Sequence, residues 1–490
     1  MIMKKQTLGI ILMCTMVLTS ACSSISKNKK VTKAPNIIFI LLDDWGWQDA
    51  AFMGSKYYLT PHMDELAKQS YTFTQAYSSS PNCAPTRAAL NSGLRPQKTG
   101  IYTVKSSARG KAEQRRIIPT ANQTVLKDEV ITLAESLKSN GYQTAFIGKW
   151  HLGEGEHGGP LTQGFDINIA GNQTGTPKSY FSPFKNPELV DGPNGEYLPD
   201  RLSQEAVKFI ESNHSKPFFL MLSHYAVHSP IKAPKATVSK HLDRQGDEYH
   251  NNPTYAAMLE HTDNSVQRVL DALKTQGLED NTWVILTSDN GGYDKATQAP
   301  ELRGSKGMLY EGGLRVPLLI KMPNQSTQTI INEPVSTLDF YPTLLNIANG
   351  SAPLQQPLDG KTLLPLLNNQ SINREALYFH FPAYLQSTKQ KQIWRTTPAS
   401  MIRMGDYKLI EFFEYGQLEL YNIKKDLKET KNLALLEPKR TAKLYLKLKQ
   451  WQQTSKAPIP TQLNPKFDEK YLLPRQSYVT WQDIQTKLTK

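Results

Sequence analysis

Along this chain, short apolar runs rich in Ile, Leu, Val and Phe alternate with stretches of helical spacing. Asn36–Leu42 reads Asn-Ile-Ile-Phe-Ile-Leu-Leu, apolar at every position but the first. With no polar alternation, it predicts a strand covered on both faces rather than one with a wet side. Phe218–Leu222 and Val284–Thr287 read as two further central strands, and Thr144–Ile147 as another. Between them, Thr60 and Pro61 suit the cap and first turn of a helix, and Ile131–Ser139 predicts a second helix stopped by Asn140-Gly141. No internal repeat is visible. Strands alternating with helices predict an α/β fold, a large and mostly parallel central sheet flanked by helices.

After Pro365 the character changes. Arg374–Phe381 and Met401–Tyr421 read as antiparallel strands with a turn at Gly405-Asp406, followed by a helix ending near Trp451. The expected division is an α/β domain over residues 35–370 and a smaller C-terminal subdomain, antiparallel sheet plus helix, over residues 371–490. Two irregular stretches, Glu154–Pro199 with Tyr180, Phe181 and Phe184, and Pro230–Tyr255 with Lys232, Lys235 and Arg244, read either as walls and lids of a site or as variable surface insertions.

Each predicted strand runs into a polar cluster. Asp43-Asp44 follows the first, Lys149 and His151 the one at Thr144–Ile147, His224 and His228 the next, and Asp289-Asn290-Gly291-Gly292 the last. Singly, these are ordinary caps and turns. Jointly, they fall where open α/β sheets bind ligands, in the crevice outside the carboxyl ends of the strands. Three carboxylates and an amide carbonyl are hard oxygen donors, suited to calcium or magnesium and not to zinc.

At the amino end, Lys4 and Lys5 precede an apolar run from Leu8 to Leu18 and then Thr19-Ser20-Ala21-Cys22. The run is too short for a membrane span and reads as a signal peptide over residues 1–21. Small residues before Cys22 resemble a bacterial lipoprotein box, which would make Cys22 a lipid-attachment site and residues 22–34 a polar tether, the alternative being an ordinary secretory signal. The expected location is the periplasm or the outer membrane, with membrane contact only through the lipid. The formal charge of +13 suits a polyanionic partner. Lys105, Arg109, Lys111, Arg115 and Arg116 cluster without interleaved aromatics, so nucleic acid is not the expected partner.

The chain has three cysteines. Cys14 and Cys22 belong to the leader and its cut site, which leaves Cys83 alone in an exported domain with no disulfide framework. Its setting, Cys83-Ala84-Pro85-Thr86-Arg87, resembles the C-x-P-[S/T]-R signature of the type I sulfatases in the alkaline phosphatase superfamily, with Thr86 where Ser is frequent. The resemblance extends over most of the chain from Asn36: Gly148-Lys149-Trp150-His151-Leu152-Gly153, Val227-His228-Ser229-Pro230, and Leu302-Arg303-Gly304-Ser305-Lys306-Gly307 all match family blocks.

That resemblance implies an alkaline phosphatase-like fold and a sulfatase acting on sulfate esters, with a sulfated polysaccharide or oligosaccharide as substrate. It implies that a maturation enzyme oxidises Cys83 to formylglycine, whose hydrate attacks sulfur. One divalent cation, calcium by family habit, would be held by Asp43, Asp44, Cys83, Asp289 and Asn290. Arg87 would fix the nucleophile, Lys149 and Lys306 would offset sulfate charge, His151 would act as base on the hydrate, and His228 with Lys306 would serve the leaving alcohol. The alternatives are a phosphodiesterase or phosphonate hydrolase of the same superfamily, or a non-catalytic lipoprotein that binds sulfated glycans.

Overall fold

A computed structural model describes residues 34–212, 215–387 and 392–489. The predicted signal peptide, Cys22 and the tether up to residue 33 lie outside the described residues.

The central sheet has eight strands, β1 (Asn36–Leu42), β2 (Tyr71–Phe73), β3 (Gln143–Gly148), β4 (Ile167–Ile169), β5 (Phe218–Ser223), β6 (Thr282–Ser288), β7 (Leu318–Lys321) and β8 (Thr329–Ile331), in the order β8-β2-β7-β6-β1-β5-β3-β4. All run parallel except β7, which is antiparallel to both neighbours. The four predicted strands form β1, β3, β5 and β6, the middle of the sheet. Their neighbour β7 was not expected, because its apolar run is only three residues long, Leu318–Ile320, and follows directly on Pro317.

The helices that cover the sheet include α1 (Cys83–Ser92), α2 (Leu133–Ser139), α3 (Leu198–Ser212), α4 (Pro253–Thr275) and α5 (Phe340–Ile347), with the shorter Pro61–Lys68 beside α4. Successive residues of β1 point to opposite faces, and both faces are dry. Ile38, Ile40 and Leu42 join α3 and α4 in one core layer through Leu202, Ile210, Met258 and Val266. Ile37, Phe39 and Leu41 join α1, α2 and α5 in the other through Ala88, Leu137 and Leu344. Each such side chain stabilises the fold by roughly 1.5–3 kcal/mol on burial.

The helix read at Ile131–Ser139 starts two residues later. Thr132 caps it in a reciprocal box with Glu135, and Asn140 and left-handed Gly141 end it. Thr60 and Pro61 stand at the N-cap and first turn of their helix as expected, but the Thr60 side chain makes no capping bond. The Thr60 hydroxyl donates to Asp64 and accepts from the Ala51 amide instead.

The C-terminal lobe is a four-stranded antiparallel sheet, β9 (Leu377–Phe381), β10 (Ala399–Met404), β11 (Tyr407–Phe412) and β12 (Gln417–Asn422), in chain order. The predicted turn at Gly405-Asp406 joins β10 to β11, with Gly405 at a φ of 57°. Helix α6 (Pro438–Thr454) lays Leu444, Leu448 and Trp451 against Ile402, Leu409 and Leu420. Arg374, placed in a strand by its sequence, instead makes a two-pronged ion pair with Asp339.

Strand register positions the site. Leu42 is level with Ser288, Leu41 with Ser223, and Ser223 with Gly148. The residues that follow, Asp43, Asp289, His224 and Lys149, therefore leave the sheet side by side.

Candidate functional site

Three carboxylates meet at this edge. The Asp44 amide donates to Asp289 Oδ1 (3.2 Å), and Asp44 holds a left-handed backbone at φ 62°, a conformation that a non-glycine residue keeps only under tertiary constraint. Lys306 Nζ lies 2.6 Å from Asp44 Oδ1, and Asn290 Nδ2 donates to the same oxygen at 2.8 Å. That bond turns Asn290 Oδ1 inward, where it is buried without a hydrogen-bond partner, as is Asp43 Oδ1. Buried oxygens left unpaired are costly. Ligand atoms of Asp43, Cys83 and Asp289 lie within 4.8 Å of one another. Burial, with the charge of Asp289, pushes the Asp43 carboxyl up to about 8 against the pull of Lys149. Burial would raise Asp44 as well, but Lys306 and His228 hold it below the usual carboxylate range. Hard oxygens, two of them orphaned, crowded around one point fit a divalent cation.

Cys83 is the first residue of α1. The Asn82 side chain accepts from the Cys83 amide (3.2 Å) and donates to Thr103 (3.0 Å). One turn on, Arg87 is wholly enclosed. Its Nε donates to Asp289 Oδ2 (2.8 Å), Nη2 lies 2.7 Å from the same oxygen, and Nη1 donates to Lys149 O and Ser223 Oγ, each at 2.7 Å. This is a task for a planar fork of donors rather than a mobile ammonium. Thr86 sends its hydroxyl to Ser80 O (2.9 Å), a bond that Ser would make equally well. Burial pushes the Cys83 thiol up.

Lys149 is fully buried, its Nζ 2.5 Å from Asp43 Oδ2. His151 holds a φ of 68° through its amide bond to Asn172 O (2.9 Å), which aims Nδ1 at Cys83 Sγ, 3.6 Å away. A Cβ at Gly175 would stand 2.3 Å from His151 Cε1, so the backbone of that loop covers the ring as only glycine allows. Burial, reinforced by Lys149 and Arg87, holds the His151 ring well below its usual pKa and hence neutral. His228 Nε2 lies 3.7 Å from Asp44 Oδ2, and burial with the charge of Lys306 lowers it to about 3. Lys306 is raised above the usual lysine value by Asp44, against the cost of burial.

All ten residues read from the sequence as site residues within the described chain are therefore in one place. His224, noted beside His228, is not among them. It is buried against Ser265 (2.9 Å) below the sheet edge. Sequence reading missed Ser223, which links Arg87 to the Lys149 backbone. Its signal was being the first polar residue after a buried strand. It also missed Asn82, a capping residue type directly before the helix.

A cleft of about 940 Å³ opens over Cys83, His151, His228 and Lys306. Of the two irregular stretches, the first lines it through Glu154, the Gln173–Thr176 loop and Lys178, and the second contributes no lining residue. Tyr180 and Phe184 are core residues, 1% exposed, and not walls. The Tyr180 hydroxyl lies 2.7 Å from the His228 carbonyl, beneath the site. Of the basic cluster, Lys105 and Arg109 reach the cleft, while Arg115 donates back to the Arg109 and Gly110 carbonyls and Arg116 stacks on Tyr415.

The Sulfatase family model matches residues 35–351, and the model described as N-sulphoglucosamine sulphohydrolase, C-terminal, matches residues 304–457. A sulfatase of Formosa agariphila is 33% identical over 93% of this chain and 95% of its own. Human N-acetylgalactosamine-6-sulfatase is 31% identical over 72% of this chain and 70% of its own. The crystal structure of Ps i-CgsB in complex with k-i-k-neocarrahexaose superimposes with a TM-score of 0.74 at 27% identity, covering 91% of this chain and 99% of that one. With the family model spanning most of the chain and the site residues gathered at the sheet edge, the chain belongs to the sulfatase family and is a sulfuric ester hydrolase of alkaline phosphatase-like fold.

Proposed function

We propose that the sulfate esters this enzyme hydrolyses belong to a sulfated polysaccharide or oligosaccharide, and that a maturation enzyme converts Cys83 to formylglycine. One calcium ion would be held by Asp43, Asp44, Asp289, Asn290 and the matured residue 83. The observation that carries the reading is what surrounds Cys83: a neutral imidazole 3.6 Å away, enclosed cations, and orphaned carboxylate and amide oxygens. The glycan part is supported by the N-acetylgalactosamine-6-sulfatases among the relatives, by the neocarrahexaose complex and by the cationic cleft.

When present, the matured residue supplies an aldehyde hydrate as nucleophile and the calcium ion supplies positive charge at the sulfate oxygens. The chain's own residues do the rest. Asp43, Asp44 and Asp289 are offset by Arg87, Lys149 and Lys306, so a bound divalent cation leaves the site net positive, as an anionic ester requires. Arg87, fixed by four contacts, keeps residue 83 and Asp289 in register. His151, held neutral, takes a proton at Nδ1 from the group at position 83. Lys306, held protonated, and His228 beside it face the cleft where the leaving oxygen needs a proton or a hydrogen bond.

The test pairs mass analysis of the tryptic Cys83 peptide, from protein made in a host with the maturation machinery, with sulfate release from carrageenan and glycosaminoglycan oligosaccharides. The expected result is the mass loss of thiol-to-aldehyde conversion and release of sulfate. A thiol left intact in protein that still releases sulfate would remove formylglycine from the reading, and release only from aryl sulfates would remove the glycan. We also propose export and lipid attachment at Cys22, in the periplasm or outer membrane. A precursor whose processing is insensitive to globomycin would exclude the anchor.

A further inference from the structure

The cleft carries more positive charge than one ester needs. A sulfate ester has a single negative charge, and Lys306 already lines the cleft beside Cys83, while Lys149 and Arg87 are enclosed beneath it and paired with Asp43 and Asp289. Farther out, Arg109 and Arg395 line the same cleft with Lys105 and Lys178, and among the described residues the only acidic side chain lining it is Glu154, which is exposed.

The two arginines are held in place by backbone. Arg109 donates to Val104 O. The ionisable groups that act on it are Cys83 and Arg395, with no carboxylate among the described residues. Burial, helped by Arg395 and opposed by Cys83, lowers its guanidinium below the usual arginine value. Arg395 donates through Nη1 to the Lys306 carbonyl (3.0 Å), has Asp294 Oδ1 only at 3.8 Å from Nη2, and keeps a buried Nε with no hydrogen-bond partner. A half-buried guanidinium at Arg109 and a mostly buried one at Arg395, lining one cleft and repelling each other, with an unsatisfied donor on Arg395, are a costly arrangement without an anion beside them.

Their supports come from both lobes. A Cβ on Gly110 would lie 2.6 Å from Trp394 Cη2, so the Arg109 loop rests on the residue beside Arg395. Ala108 pairs with Tyr384 at the start of the same hairpin. Because Arg395 hangs on the Lys306 backbone, an anion it holds is set at a fixed distance from the reacting ester.

Building on the glycan reading above, we propose that Arg109 and Arg395 form a second anion-binding position, which holds a sulfate or carboxylate substituent of the substrate other than the ester being cleaved. The enzyme thereby selects glycans that carry two anionic groups near each other, and planar two-pronged donors are suited to both kinds of oxyanion.

The probe for the position itself is selenate, soaked into crystals and located by its anomalous signal. The expected result is one ion over Cys83 and a second within hydrogen-bond distance of both guanidinium groups, with R109Q and R395Q each removing the second. Absence of the second ion, or its persistence in both variants, overturns the proposal. The source of the anion is read from kcat/KM for oligosaccharides carrying the scissile sulfate alone, with a second sulfate, or with a uronate. The form that the site recognises should be preferred by roughly 10- to 100-fold, the worth of one charged hydrogen-bonded contact. R109Q should abolish the preference and R109K should keep part of it. Equal rates on all three forms would make the second ion an adventitious one and overturn the proposal. Sulfate release from none of them, with the second ion still bound, would instead overturn the glycan reading.

Discussion

His151 shows how little freedom a single residue has here. Its backbone is left-handed, its Nδ1 faces Cys83 at 3.6 Å, and its ring is covered by a glycine. Removing the base should cost a factor of roughly 10²–10⁴ in kcat, so His151→Ala is expected to lose that much while the Cys83 peptide still shows conversion. Gly175→Ala is the sharper test, because it leaves every site residue in place and adds one methyl where the imidazole stands. The ring must then turn away from position 83. A fall in kcat approaching that of His151→Ala, at nearly unchanged KM and melting temperature, is expected. Wild-type turnover in Gly175→Ala would mean that the ring orientation is not what matters, and wild-type turnover in His151→Ala would remove the residue from the mechanism.

At the scale of elements, the site was legible where strands were legible. A doubly buried strand such as β1 announces itself by an unbroken apolar run, and its end by the first charged residue, so Asp43, Lys149 and Asp289 could be placed before any register was known. Helix α1 gave no such signal. All ten of its residues are buried, so Cys-Ala-Pro-Thr-Arg-Ala-Ala-Leu-Asn-Ser has no wet face to set a period. Helix α4 was hidden because Pro253 reads as the continuation of a polar loop, although it is an N-terminal proline capped by Asn252. Contacts between segments far apart in sequence were not legible at all. The clearest is Lys408 on β11, fully buried between Glu311 of the main lobe (3.1 Å) and Glu429 (2.9 Å). Lys408→Met keeps the volume but leaves two buried carboxylates facing each other. Loss of one partner from such a network costs about 3–5 kcal/mol, so urea unfolding should show a loss of that size. A cost of less than about 1 kcal/mol would mean that Lys408 offsets no buried charge and that the lobes are held by their other contacts, among them the apolar cluster around Phe379 and Leu314 and the Arg374 pair with Asp339.

For the whole molecule, acid lability comes from its buried neutral histidines, and besides His151 and His228 in the site there is one in each lobe that can be altered without touching the site. His224 lies under the main sheet edge against Ser265, and burial brings it down to about 4. His380 on β9 sits 2.8 Å from Ser400 Oγ, and burial brings it down to about 3. An unfolded histidine titrates near 6.5. Between that value and the depressed native one, the unfolded chain binds a proton that the native chain refuses, so each histidine's contribution is complete above about pH 6.5 and is lost progressively as pH falls toward the native value. At about 1.4 kcal/mol per unit, each should remove about 2 kcal/mol between pH 7 and pH 5. The readout is the difference in unfolding free energy between those two pH values, not stability itself, so a variant that is weaker at both remains informative. His224→Gln and His380→Gln should each flatten the wild-type slope by that amount, and the double variant by the sum, since the two sites share no partner. An unchanged slope in His224→Gln would mean that its imidazole is protonated in the native state.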